Sequence, residues 1–167
     1  MTPAARLWHD LRMPDFIIRP AALPDLPALL VLVEALTRHH GDEPRATLDS
    51  LARDFFGAEP WFRVFVAELG GLVVGYAALL PRARLGFGQR GLDLHHLFVA
   101  RGCRGRAIGA ALVAASVDLA KESGCDYMVV GTHADNAEAQ AYYPRLGFQL
   151  DSGTGGVRFY KVLKLVG

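Results

Sequence analysis

Apolar positions along the chain fall into short β-branched runs and helical stripes separated by polar or glycine-rich breaks. Phe16-Ile17-Ile18 reads as a first strand ended by Pro20. From Pro24 to Arg38, Leu26, Leu29, Leu30, Val33 and Leu36 recur at helical spacing, with Pro24 and Asp25 suited to a first turn. The polar run His39-His40-Gly41-Asp42-Glu43-Pro44 breaks that pattern and predicts a loop. Thr47 suits the N-cap of a second helix with apolar positions Leu48, Leu51, Phe55 and Phe56, closed by Gly57. Trp61 to Glu68 and Leu72 to Leu80 read as two strands joined through Gly70-Gly71, and Pro81 to Gly91 as a longer exposed turn. A fourth strand, Leu94 to Val99, leads through a glycine- and arginine-rich turn into a third helix. That helix keeps Ile108, Leu112, Ala115 and Leu119 on one face and ends at Ser123-Gly124. Tyr127 to Gly131 is apolar up to its glycine, as in a strand buried on both faces. After a loop at 133–136 comes a fourth helix, Ala137 to Leu146, tightened by Pro144 and closed by Gly147. Phe148 to Leu150 and Val157 to Leu165 read as closing strands around a Gly/Ser turn. The order is β-α-α-β-β-β-α-β-α-β-β, an α/β domain with a mixed sheet of about seven strands and four helices.

Composition narrows the class. The 167 residues are enough for one domain with a sizeable core, placed here at 13–167 behind a short extension, residues 1–12. A net charge of +1 gives no reason to expect nucleic acid or an acidic membrane as partner. The two cysteines, Cys103 and Cys125, are too few for a disulfide framework and read as reduced structural thiols of a cytoplasmic protein. No apolar run reaches the ~18–20 residues of a membrane span.

The chemistry concentrates at Leu94 to Leu112, LHHLFVARGCRGRAIGAAL. A strand entering a Gly-rich turn that opens a helix can hold phosphate. The first helical amides are unpaired, the peptide dipoles add partial positive charge, and Arg101, Arg104 and Arg106 add full charges. An ordinary tight turn with solvated arginines is the alternative. The stretch has no GxxxxGK[ST], and the glycines at 102, 105 and 109 do not make GxGxxG. Arg104-Gly105-Arg106-Ala107-Ile108-Gly109 resembles instead the acetyl-CoA signature of the GNAT superfamily of N-acetyltransferases, Gln/Arg-x-x-Gly-x-Gly/Ala, with Ala107 where a central glycine is usual. Ala141-Tyr142-Tyr143-Pro144-Arg145-Leu146-Gly147-Phe148 resembles the same family's FYxxxGF stretch, and Asn136 sits where the family has a cofactor-contacting asparagine. The element order also matches the GNAT fold. Within the family, Pro60 to Glu68 and Gly156 to Lys161 look most like the diamine and thialysine N-acetyltransferase branch.

The resemblance implies direct transfer of an acetyl group from acetyl-CoA to an amine, without a metal, in a protein expected to be a homodimer. Backbone amides of Arg104, Gly105, Arg106, Ala107, Ile108, Gly109 and Ala110 would hold the pyrophosphate. The pantetheine arm would lie between splayed fourth and fifth strands, pairing with Leu97, Phe98 and Val99. Ala107 is expected to keep helical angles. Tyr143 stands where the family places the tyrosine that protonates the leaving thiolate, and a phenol near pKa ~10 can do so. Tyr142 reads as a core aromatic.

His95 and His96 occupy positions that carry an acidic pair in the diamine branch. Imidazole titrates near pKa ~6.5 and can accept a proton at neutral pH. Strand alternation would send the two rings to opposite faces, so that one serves: His95 as the base, with His96 as a substrate contact or core residue. Two imidazoles in place of two carboxylates disfavour a dication. Asp42 and Glu43 could bind one ammonium, and Arg82, Arg84 and Arg90 a substrate carboxylate, with plain surface charge as the alternative for each. His133 is a weaker candidate. The expected acceptor is a small primary amine, amino-acid-like or diamine. The competing readings are a protein lysine or N-terminal acetyltransferase, a silent acyl-CoA-binding module, and an unrelated nucleotide binder.

Overall fold

The structure is a computed structural model that describes residues 15–132 and 134–150. The chain divides into two compact units, residues 1–131 and 132–167. The first unit contains β1 (Phe16–Pro20), α1 (Leu26–His39), α2 (Leu48–Phe56), β2 (Arg63–Leu69), β3 (Leu72–Arg84), β4 (Gln89–Val99), α3 (Ile108–Glu122) and β5 (Tyr127–Val130). Short 3-10 turns cover Leu23–Asp25, Leu85–Phe87 and Arg101–Cys103. The second unit contributes α4 (Ala137–Arg145).

The strands lie in chain order β1-β2-β3-β4-β5, antiparallel up to β4, with β5 parallel to β4. The connection from β4 to β5 passes through α3, as a parallel pair requires. Among the described residues the sheet therefore has five strands rather than about seven. Phe148–Leu150 is not a strand, and Val157–Leu165 lies outside the described residues, as does the 1–12 extension. The Pro81–Gly91 turn is also corrected. The β3–β4 ladder runs on to Arg84 opposite Gln89, so the turn shrinks to Leu85–Gly88. Pro81 fits because the β2 ladder ends at Leu79, leaving one edge of β3 free of donors to satisfy.

Local chemistry explains where the helices start and stop. The Asp25 carboxylate accepts from the Ala22 amide at 2.7 Å and from both arms of Arg19 at 2.7 and 2.9 Å. The Arg19 hydrogen bonds hold this buried acid below its ordinary value. Thr47 caps α2: its hydroxyl accepts from Ser50 N at 3.1 Å, while its own amide donates to Ser50 Oγ at 2.9 Å. Gly57 ends that helix for a steric reason, since a Cβ there would sit 2.4 Å from the Arg53 carbonyl oxygen.

Helices cover both faces of the sheet. Leu29, Leu32, Leu36 and Leu51 of α1 and α2 pack with Val64, Val66, Tyr76, Ala78 and Phe98 on one face. On the other face lies α3, where a Cβ on Gly75 would sit 3.5 Å from Leu112 Cδ1 and 2.9 Å from the Phe98 carbonyl oxygen. Ile108 and Leu112 are buried there with Leu79 and Leu94. No described helix is long and apolar enough to cross a membrane.

Candidate active site

The site is built on an irregularity in β4. Opposite β3, Ala78 faces His96 but Leu79 faces Leu94, so His95 is an extra residue in the ladder. A β-bulge of this kind bends its strand and breaks the alternation of side chains. The β4–β5 ladder stops at the same place, with Leu94 opposite Val130, while β4 continues to Val99. Leu97, Phe98 and Val99 pair with Ala77, Tyr76 and Gly75 on one edge. Their other edge lies beyond the end of β5.

The bulge corrects the expectation that the two histidines point to opposite faces. Their rings stack, with centroids 4.8 Å apart and planes 13° from parallel. The Phe62 ring also lies near His95, with centroids 5.5 Å apart and planes tilted by 46°. His95 is exposed and His96 is partly buried, on the face that carries α1 and α2.

His96 has a partner that the sequence reading missed. The Tyr76 hydroxyl lies 2.8 Å from His96 Nδ1. Tyr76 is 0% exposed, and burial pushes its phenol up. A lone tyrosine inside the apolar run VVGYAALL could have raised the question, because a buried hydroxyl needs a partner. Burial, followed by the nearby His95 and His40, pulls the His96 pKa down to about 4. His40 is the residue that closes α1.

A depressed folded-state pKa means that unfolded chains take up a proton at His96 which folded ones refuse. The stability this supplies is present above pH ~6.5 and is lost as pH falls toward 4, by roughly 2 kcal/mol. Urea midpoints at pH 7 and 4.5 measure it, and the loss shrinks in His96→Asn.

The remaining candidates divide. Asp42 and Glu43 are exposed just beyond α1. Arg82 lies 3.6 Å from Asp93 Oδ2, and the Arg84 guanidinium stacks 4.6 Å from the Tyr127 ring centroid, so both have structural partners. The Arg90 backbone pairs with Asp126 through both its amide and its carbonyl. Cys103 and Cys125 are free thiols. Among the described residues no group of three His, Cys, Asp or Glu side chains has a metal-holding arrangement. His133 lies outside the described residues.

The loop after β4 opens α3. Arg104 Nε donates to the Val99 carbonyl at 3.0 Å and its guanidinium lies 5.6 Å from the Phe98 ring centroid, so this side chain locks the end of β4. Gly105 has φ +77°, and Arg106 is exposed. Ala107, the N-cap, has φ +62° and ψ +13°, left-handed rather than the right-handed helical angles expected of it. The first four amides, Ala107 to Ala110, have no acceptor within the helix, and the dipole favours an anion before them. Ile108 anchors this end by burying its side chain. An alanine in left-handed backbone costs ~1–2 kcal/mol, partly offset by the greater chain entropy of glycine. Ala107→Gly is therefore expected to stabilise the fold by about 0.5–1 kcal/mol in a urea melt.

In the second unit, Asn136 caps α4, its Oδ1 accepting from Ala139 N at 3.0 Å, so that oxygen is committed to the helix. Tyr143 is half-buried, edge-to-face with Tyr142 at 5.6 Å and with Phe148 at 5.7 Å. Burial, then Tyr142, pushes its phenol up to about 12 rather than the ordinary value near ~10.

Among curated proteins, the chain is 30% identical to mycothiol acetyltransferase of Streptomyces avermitilis over 82% of this chain and 44% of that protein. It is 27% identical to thialysine N-epsilon-acetyltransferase of Bos taurus over 80% of this chain and 84% of that one. The chain spans less than half the length of the mycothiol acetyltransferase and of two matching N-acetyltransferase family 8 members of mouse and rat. The solved structure of a probable acetyltransferase superposes with a TM-score of 0.74 at 22% identity, over 89% of this chain and 99% of that one, a likeness of fold. Residues 29–148 match the model of the "Acetyltransferase (GNAT) family", and with most of its length so matched this chain belongs to that family.

Proposed function

We propose that this chain is an acetyl-CoA-dependent N-acetyltransferase acting on a primary amine of a small molecule by direct transfer in a ternary complex. The bulge at His95 carries the reading. The β5 ladder ends where the extra residue falls, Leu97–Val99 have no strand on that edge among the described residues, and two imidazoles lie side by side at that point. An amide-bearing pantetheine arm fits such an edge, and the amides opening α3 beside Arg106 fit a pyrophosphate. Acetyl-CoA supplies an activated acetyl group on a thiolate leaving group.

His95, exposed and held by Phe62 and His96, removes the proton from the acceptor ammonium, directly or through a water. His96, neutral at working pH, contacts the acceptor rather than serving as base. Successive strand amides point to opposite edges, so one of Leu97 and Phe98 donates to the carbonyl oxygen as it gains charge. The resemblance of residues 141–148 assigns Tyr143 to the leaving sulfur. Its raised pKa changes the role: a phenol near 12 lies well above a thiol near ~8.5, so Tyr143 donates a hydrogen bond to the departing thiolate in preference to a full proton transfer.

Thiol release from acetyl-CoA, read across small amines, lysine peptides and free N-terminal peptides, tests the proposal. Acetylation of small amines with peptides left untouched is expected. A preference for peptides would move the acceptor class to protein, and tight acetyl-CoA binding without turnover on any amine would leave a silent binding module.

A further inference from the structure

Resting on the reading of His95 as base, we propose that Tyr76 and His96 form a fixed-tautomer pair whose Nε2–H selects acceptor amines carrying a hydrogen-bond-accepting oxygen a few bonds from the amino group. Tyr76 is held at the centre of the sheet, between Val66 of β2 and Phe98 of β4. Its hydroxyl has one partner among the described residues, His96 Nδ1. If Nδ1 carried the proton, the phenol oxygen would accept it and leave its own buried hydrogen unpaired, an arrangement disfavoured by desolvation. The phenol therefore donates to Nδ1. A doubly protonated ring would have to form in a partly buried site facing His95 and His40. The neutral ring carries its hydrogen on Nε2.

That Nε2–H has no partner among the described residues. The one buried polar side-chain atom without a partner there is the Tyr127 hydroxyl, so His96 Nε2 is open to solvent. It is a donor and nothing else. An ammonium offers it no lone pair, whereas a carboxylate, carbonyl or hydroxyl does. Parallel stacking on His95 puts this donor beside the base, so an amine deprotonated at His95 brings its neighbouring oxygen within reach of His96. Of the amino-acid-like and diamine acceptors, the pair favours the first. Tyr76 acts through His96 and is a positioning residue.

Two measurements test the pair. Long-range proton–nitrogen spectra of the histidine rings, recorded on the wild-type protein at pH 7, report the tautomer without any turnover. His96 is expected as Nε2–H in wild type and as a mixture of tautomers in Tyr76→Phe. Acetylation rates are then compared for a matched set: an α-amino amide, the corresponding amino alcohol and the alkylamine of equal length. Wild type is expected to favour the first two by about ten-fold or more in kcat/KM, mostly through KM. Tyr76→Phe is expected to reduce that ratio to about three-fold or less, and His96→Gln, which keeps an N–H donor, to preserve part of it. An Nδ1–H tautomer in wild type, equal rates across the set, or an undiminished preference in Tyr76→Phe would overturn the proposal. Failure to acetylate any amine would instead overturn the base reading and the selection built on it, with the ring spectra still deciding whether the pair exists.

Discussion

His95→Ala is expected to lower kcat/KM for the acceptor amine by about 10²–10³ at pH 7, the range a positioned general base supplies. The KM for acetyl-CoA is expected to stay where it is, because this side chain lies outside the Leu97–Val99 edge and the α3 amides. The fold should survive. His95 is exposed, and the bulge belongs to the backbone register rather than to the imidazole. One feature separates loss of a base from a general disturbance. The deficit narrows as pH approaches the pKa of the free amine, near ~10.4 for an alkylammonium, where deprotonation no longer needs help. A variant that kept most of its rate at pH 7 would assign the proton to another group.

Tyr143→Phe is expected to reduce kcat by about 10² while both KM values stay within a few-fold, since a donor aimed at charge that appears only in the transition state affects the chemical step. The ring contacts with Tyr142 and Phe148 persist in the variant, so thermal stability should change little. The raised pKa also sets the sign of the pH dependence. A phenol near 12 stays protonated through pH 9.5, so the wild-type rate should show no alkaline fall from this residue. Rate and pH profile on a chosen amine, measured for both proteins, check each part. A kcat equal to that of wild type would remove Tyr143 from the reaction.

The sequence made some features legible and hid others for identifiable reasons. Thr47 and the Leu26–Leu36 stripe disclosed α1 and α2 because capping and amphipathic spacing are local. The strand–turn–helix at residues 94–112 was legible for the same reason. The bulge was not, because it exists only as a count of β4 residues against β3, and that count follows from tertiary pairing. With the bulge hidden, alternation wrongly separated His95 from His96. The role of Tyr76 is not legible locally because its partner lies 20 residues away, across the same ladder. The long β3–β4 hairpin is hidden in the sequence because Pro81 and three arginines lie in a ladder with one free edge, where composition argues against strand. Ala107 misled in another way, since a residue type that favours right-handed helix is held in left-handed backbone by the turn around it.

The central claim is that the open edge of β4 and the amides that begin α3 together hold acetyl-CoA. Its most direct test is a titration of backbone amide resonances with acetyl-CoA, run beside one with ATP. The account predicts saturable shifts for Leu97, Phe98, Val99 and Gly105 to Ala110 with acetyl-CoA, and none of comparable affinity with ATP. Shifts confined to other residues, or equal responses to the two ligands, would contradict it.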